Sequence, residues 1–120
     1  MSTSLTIDVN HDKPGTAHVS LTGSLDSETA PQLEKALGSI DANVIAFDMT
    51  NLAFISSAGL RVMFAAAKRQ KSKGGNMGMS NLRPGVRKVF EIVKALPDMN
   101  VFASEKEMDE YLARFQRPEE

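Results

Sequence analysis

The sequence predicts an α/β layer fold with a mixed, mostly parallel sheet, an antiparallel N-terminal hairpin at its edge and helices packed on it. Three observations carry that expectation. Two segments of alternating polarity, Leu5/Ile7/Val9 and Ala17/Val19/Leu21, flank a turn-forming stretch. Helix-like and strand-like segments then alternate to the end of the chain. The central strand, Val44-Ile45-Ala46-Phe47, is a short continuous apolar run, as expected for a strand covered on both faces.

Taken in order, Leu5, Ile7 and Val9 alternate with Thr6, Asp8 and Asn10, the period-two pattern of a half-buried strand. His11-Asp12-Lys13-Pro14-Gly15 has turn chemistry, and Ala17, Val19 and Leu21 resume the alternation, so the pair reads as a hairpin. Gly23-Ser24-Leu25-Asp26-Ser27 breaks the pattern. Asp26 or Ser27 is expected to cap a helix with Pro31 in its first turn and Ala30, Leu33, Leu37 and Ile40 on its apolar face. After the strand at Val44–Phe47, a helix is expected from about Ala58 to Lys71, with Leu60, Met63, Phe64 and Ala67 at helical spacing. Gly74-Gly75 ends it, and Met77-Gly78-Met79 forms another short strand. Pro84 opens a third helix with Val86, Val89, Phe90 and Val93 on one face, and Pro97 stops it. A strand is expected at Asn100–Ala103. Ser104-Glu105-Lys106-Glu107 fits a capping box for a last helix with Met108, Tyr111, Leu112 and Phe115 inward. Residues 1–120 are expected to form one domain, with 116–120 frayed.

Length and composition bound the function. A chain of 120 residues is large enough for one stable core. Fourteen basic against fifteen acidic residues leave a net charge of −1, so no general attraction to nucleic acid or an anionic membrane is expected. The absence of cysteine excludes disulfides, thiolate metal sites and cysteine nucleophiles together. The first residues carry neither the basic flank nor the apolar core of a signal peptide, and no apolar run approaches the roughly 20 residues that span a bilayer. A small cytoplasmic protein without membrane insertion is the expectation.

Catalytic and cofactor motifs do not match. Ser57-Ala58-Gly59 lacks the glycine two residues before the serine that a nucleophile elbow needs. The two histidines, His11 and His18, both lie in the first hairpin, and neither belongs to the helical His-x-x-x-His spacing of a zinc site. Gly74-Gly75 lacks the following Lys-Ser/Thr of a phosphate-cradling loop. No cofactor, no metal and no enzymatic activity are expected. Lys68, Arg69, Lys71 and Lys73 suit a solvated helix end, where cations favour the dipole, and Met63, Met77 and Met79 suit core positions.

The stretch that stands out is Phe54-Ile55-Ser56-Ser57-Ala58-Gly59-Leu60. It places two adjacent hydroxyls at a strand-to-helix turn, where backbone N–H groups lack intrahelical partners and the dipole is positive. A phosphate there would meet favourable donors and a favourable field. Serine is equally a favoured helix N-cap, so local chemistry leaves a charge switch and a simple cap both open.

Phe47-Asp48-Met49-Thr50-Asn51-Leu52 leading into Ile55-Ser56-Ser57-Ala58-Gly59-Leu60 resembles the signature block of STAS domains, the anti-sigma-factor antagonist family. Leu21-Thr22-Gly23-Ser24-Leu25-Asp26, with Ala30 and Leu33, is similar to the family's first loop. The stretch Gly74 to Asn81, followed by Val86, Val89 and Phe90, is similar to the strand and helix after the signature. The resemblance covers nearly the whole chain and implies a single STAS-like domain that takes part in transcription regulation by partner switching. In this family the unphosphorylated antagonist binds an anti-sigma factor that is also a serine protein kinase. Phosphorylation breaks that complex, and a PP2C-type phosphatase restores it.

The family pattern is Asp-Ser-Ser/Thr-Gly, with the acceptor immediately before the glycine. Here Ala58 holds that position and Ser56 holds that of the Asp. The resemblance therefore makes Ser57 the first phosphoacceptor candidate and Ser56 the second. It implies partner contacts at Asp26, Ile55, Ser56, Ser57, Ala58, Gly59 and Arg61. Two other readings follow from Ala58 and from the fold: a phosphorylation-independent adaptor or scaffold subunit of a signalling or transport assembly, and a module that binds a nucleotide or other small molecule.

Overall fold

The protein is described by a computed structural model covering residues 4–95 and 102–116. The elements run β1 (Leu5–Lys13), β2 (Thr16–Leu25), α1 (Ala30–Gly38), β3 (Val44–Ile55), α2 (Ser57–Ser72), β4 (Asn76–Ser80), α3 (Pro84–Ala95) and α4 (Glu105–Ala113). The strands form one sheet in the order β1-β2-β3-β4. β1 and β2 are the antiparallel hairpin, and β3 and β4 add in parallel. This is the architecture that the alternation in the sequence predicts.

The register explains which apolar residues are core. Val9, Val19, Phe47 and Met79 are aligned in one row across the sheet. The two inner members are fully buried, whereas Val9 and Met79, on the outer strands, are exposed. Met79 thus departs from the core position expected for it. A single hydrophobic cluster joins Leu5, Val19, Leu33, Phe47, Leu60, Met63, Val86, Val89, Met108 and Leu112, so every helix contributes.

Several boundaries differ from the sequence expectation. β3 is not a four-residue strand. It continues through Asp48–Ile55, pairing with β2 as far as Leu25↔Ile55 across two irregularities in the register. The buried residues Met49, Leu52 and Ile55 are spaced by three, not two, and this hides the strand from a period-two reading. Gly23 lies beside one irregularity at φ 113°, where a Cβ would strike the carbonyl of Ser4.

α1 is capped by neither Asp26 nor Ser27; its N-cap is Thr29. Asp26 instead builds the turn ahead of the helix, with its Oδ1 accepting the N–H groups of Glu28 (2.9 Å) and Thr29 (3.2 Å). Ile40 lies beyond the end of α1 but packs on the core. Phe64 and Tyr111 fall at helical apolar spacing yet are exposed. The capping box at α4 forms in modified form. Ser104 Oγ accepts the Glu107 N–H, while the Glu107 side chain accepts the N–H of Ala103 and not that of Ser104. The strand expected at Asn100–Ala103 and the stop at Pro97 fall largely outside the described residues, and Phe102 and Ala103 form a bend. Of the segment expected to fray, Gln116 is hydrogen-bonded to Ile55, and residues 117–120 lie outside the described residues.

Candidate functional site

β3 delivers the turn to the rim of the sheet, beside the end of β2. The Ser56 N–H donates to the Leu25 carbonyl at 2.8 Å, which extends the parallel pairing by one residue into the turn. Ser56 is extended and caps α2, with its Oγ accepting the Gly59 N–H at 3.3 Å. The Leu60 N–H then donates to the Ser56 carbonyl at 2.9 Å, the first rung of the helix. Gly59 is there because α2 starts in contact with β2. A Cβ at this position would lie 2.6 Å from Leu25 Cγ and 3.0 Å from the Leu25 carbonyl oxygen. Asp26, the next residue after Leu25, flanks the turn, although its carboxylate is engaged in the lead-in to α1.

α2 has no acidic residue in its first turn. The negative charge that a helix N-terminus favours comes instead from α4. Asp109 Oδ1 accepts the N–H of Ser57 at 2.8 Å, from 52 residues away in sequence. On the other side of Ser56, the Gln116 amide brackets the backbone of Ile55. Its Oε1 accepts the Ile55 N–H at 2.7 Å, and its Nε2 donates to the Ile55 carbonyl at 2.9 Å. Both contacts are tertiary and carry no local sequence signal.

These contacts fix the two hydroxyls. Ser57 is 0% exposed, and its Oγ has no hydrogen-bond partner among the described residues. An unsatisfied buried hydroxyl costs about 1–3 kcal/mol. Ser56 is 4% exposed, with its hydroxyl turned to the helix N–H. Neither candidate acceptor lies open to a modifying enzyme in this conformation. Ala58, at the position where the family pattern has its acceptor, is the half-buried member of the turn.

Past the turn, α2 presents Arg61, Phe64, Ala65 and Lys68 outward, at helical spacing. Phe64 is 38% exposed and meets Phe90 of α3 edge to face, with ring centroids 6.2 Å apart. The exposed strip is therefore basic and aromatic, and its aromatic ring is held by a neighbour. Away from this region, Asp48 ties β3 to the loop after β4. It accepts the Thr50 hydroxyl (2.6 Å), the Thr50 N–H (3.1 Å) and the Asn81 amide (3.2 Å). These bonds, that from the Thr50 hydroxyl foremost, hold its carboxyl below the ordinary carboxylate value. Asn81 itself adopts φ 61°, which asparagine tolerates better than most residues. Among the described residues no group of three or more His, Asp or Glu side chains could hold a metal ion. His11 and His18 are exposed, as are the cations at the end of α2, where Lys73 pairs with Asp41 at 3.8 Å. No helix among the described residues is long and apolar enough to cross a membrane.

A mixed sheet thus carries a capped serine turn at the start of its second helix, and comparison with known proteins places this arrangement in a family. The STAS domain family matches residues 9–108, and the chain belongs to that family. BtrV of Bordetella bronchiseptica, assigned as an anti-sigma factor antagonist, is 40% identical over 75 residues, spanning 60% of this chain and 65% of BtrV. The anti-sigma F factor antagonist of Paenibacillus polymyxa is 28% identical over 105 residues, spanning 84% of this chain and 89% of that protein. The crystal structure of an anti-sigma factor antagonist from Mycobacterium paratuberculosis superposes with a TM-score of 0.66 at 26% identity, covering 82% of this chain and 90% of that one.

Proposed function

We propose that this chain is an anti-sigma factor antagonist, a cytoplasmic, non-catalytic binding protein that sequesters an anti-sigma factor and so releases a sigma factor. The observation that carries the reading is the outward strip of α2 immediately after the turn. Phe64, 38% exposed, is flanked by Arg61 and Lys68 beside the turn from Ile55 to Gly59. Aromatic and arginine side chains are the commonest binding hot spots. An exposed aromatic ring already buttressed by Phe90 gives up little freedom on binding. Asp26 and the Ile55–Gly59 turn form the rim of that surface.

Control of the binding is the second part of the reading. The partner would be an anti-sigma factor with serine kinase activity, with a PP2C-type phosphatase reversing the modification. Ser57 remains the first acceptor and Ser56 the second. A phosphate adds about −1.5 to −2 charges inside a packed interface, where unpaired charge is costly. Because both hydroxyls are buried and Ala58 holds the family's acceptor position, a phosphorylation-independent adaptor is the competing reading. Affinity for the anti-sigma factor that co-purifies from native cells separates the two. Ser57→Asp should weaken it more than ~10-fold, about 1.4 kcal/mol, measured on protein that circular dichroism shows to be folded. Affinity indifferent to substitutions at Ser56 and Ser57 favours the adaptor.

A further inference from the structure

We infer that α4 and residues 114–116 form a strap that gates chemical access to Ser57. Three hydrogen bonds reach the turn from this one segment. Asp109 takes the Ser57 N–H at 2.8 Å. Gln116 takes the Ile55 N–H at 2.7 Å and returns a bond to the Ile55 carbonyl at 2.9 Å. Met108, next to Asp109, and Leu112, between the two polar anchors, are buried in the core. Finally, the strap crosses the first turn of α3 so closely that a Cβ on Gly85 would lie 2.5 Å from the Phe115 carbonyl oxygen. The main chain is thus held on both sides of Ser56, and the Ser57 hydroxyl is buried without a partner among the described residues.

The seal has a chemical consequence. The N–H that Asp109 occupies is the first donor of α2, the group that a phosphate on this turn would use. A carboxylate and a phosphate at one helix N-terminus repel each other, and one N–H cannot satisfy both. A docked strap and a modified turn therefore exclude each other. The strap shields the serine until it lifts, and a modified serine keeps it lifted. Lifting also returns the orphaned hydroxyl to water, so the closed state holds a polar group that favours opening. The regulatory meaning of this gate rests on the anti-sigma factor antagonist reading; the gate itself does not.

The chain has no cysteine, so Ser57→Cys, nearly isosteric, introduces one thiol whose labelling by a disulfide reagent reports access to that position. We expect slow labelling in the strap-intact protein. Adding Asp109→Ala and Gln116→Ala should speed it at least tenfold. A control thiol from Ala17→Cys, fully buried near the start of β2, should change less than twofold. Equal acceleration at both positions would mean that the strap supplies only global stability, and no acceleration at either would mean that it does not gate the turn; each overturns the proposal. Fast labelling with the strap intact does so as well. If Ser57→Cys does not fold, hydrogen exchange of the Ser57 amide by NMR in Gln116→Ala, which leaves its Asp109 acceptor in place, provides the same reading. It should accelerate tenfold or more relative to the amide of Val19, and equal rates would overturn the gate. No partner or kinase enters either experiment, so failure here leaves the binding reading standing, and failure of binding leaves the gate standing.

Discussion

Gly59 shows how one residue joins fold and site. The helix that carries the exposed strip can start against β2 only if position 59 has no side chain, because Leu25 fills the space from below. Gly59→Ala forces either Leu25 or the helix to shift, and overpacking of this kind costs about 1–3 kcal/mol. A denaturant melt should show that loss, whereas Gly38→Ala, where a Cβ meets nothing within 4 Å, should be neutral or stabilising. Phe64 makes the opposite point. Its burial is only partial, so Phe64→Ala should leave the melting temperature within a few degrees of wild type while weakening partner binding more than ~10-fold. From the sequence, Phe64 looks like core because it falls on the same helical spacing as Leu60 and Met63. Spacing identifies a face of a helix but not its margin, and Phe64 lies on the margin. Asp109 and Gln116 were invisible for a different reason. Their contacts with Ser57 and Ile55 span 52 and 61 residues, and no local pattern encodes a side chain that satisfies a distant helix end.

At the scale of elements, order and type were legible and extents were not. Apolar periodicity marks the hairpin and the helices, because each buries one regular face, whereas β4 buries only Met77, and that in part. β3 is underestimated since irregular pairing with β2 breaks its period after Met49, just past Asp48, whose carboxylate turns to the loop after β4. That carboxylate gives a pH prediction. With its folded value held below the ordinary one by the bonds from Thr50 and Asn81, it contributes stability present above the unfolded carboxylate value of about 3.9. The contribution is lost as pH falls through the lower folded value. Asp48→Asn should therefore narrow the stability difference between pH 6 and pH 3 in urea melts; an unchanged difference would show that these bonds contribute nothing to the acid response. For α4, apolar burial outweighs the polar anchors. Leu112→Ala should cost about 2–5 kcal/mol, against about 0.5–1.5 kcal/mol for a neutral hydrogen bond such as those of Gln116.

Under the proposed function, the whole molecule is a rigid display of one small surface. The sheet and its single hydrophobic cluster fix the end of β3 beside the end of β2, and α2 leaves from that corner with Arg61, Phe64 and Lys68 outward. A near-neutral chain, net charge −1, offers little long-range attraction, so affinity must come from that surface and from what surrounds the turn. The most direct measurement adds the purified chain to a preformed complex of the anti-sigma factor and its sigma factor from the same cells, and follows release of the sigma factor by size-exclusion chromatography. The account expects stoichiometric release by the wild-type chain and strongly reduced release by Arg61→Ala/Phe64→Ala, with both proteins equally folded. No release, or equal release by both, would contradict it.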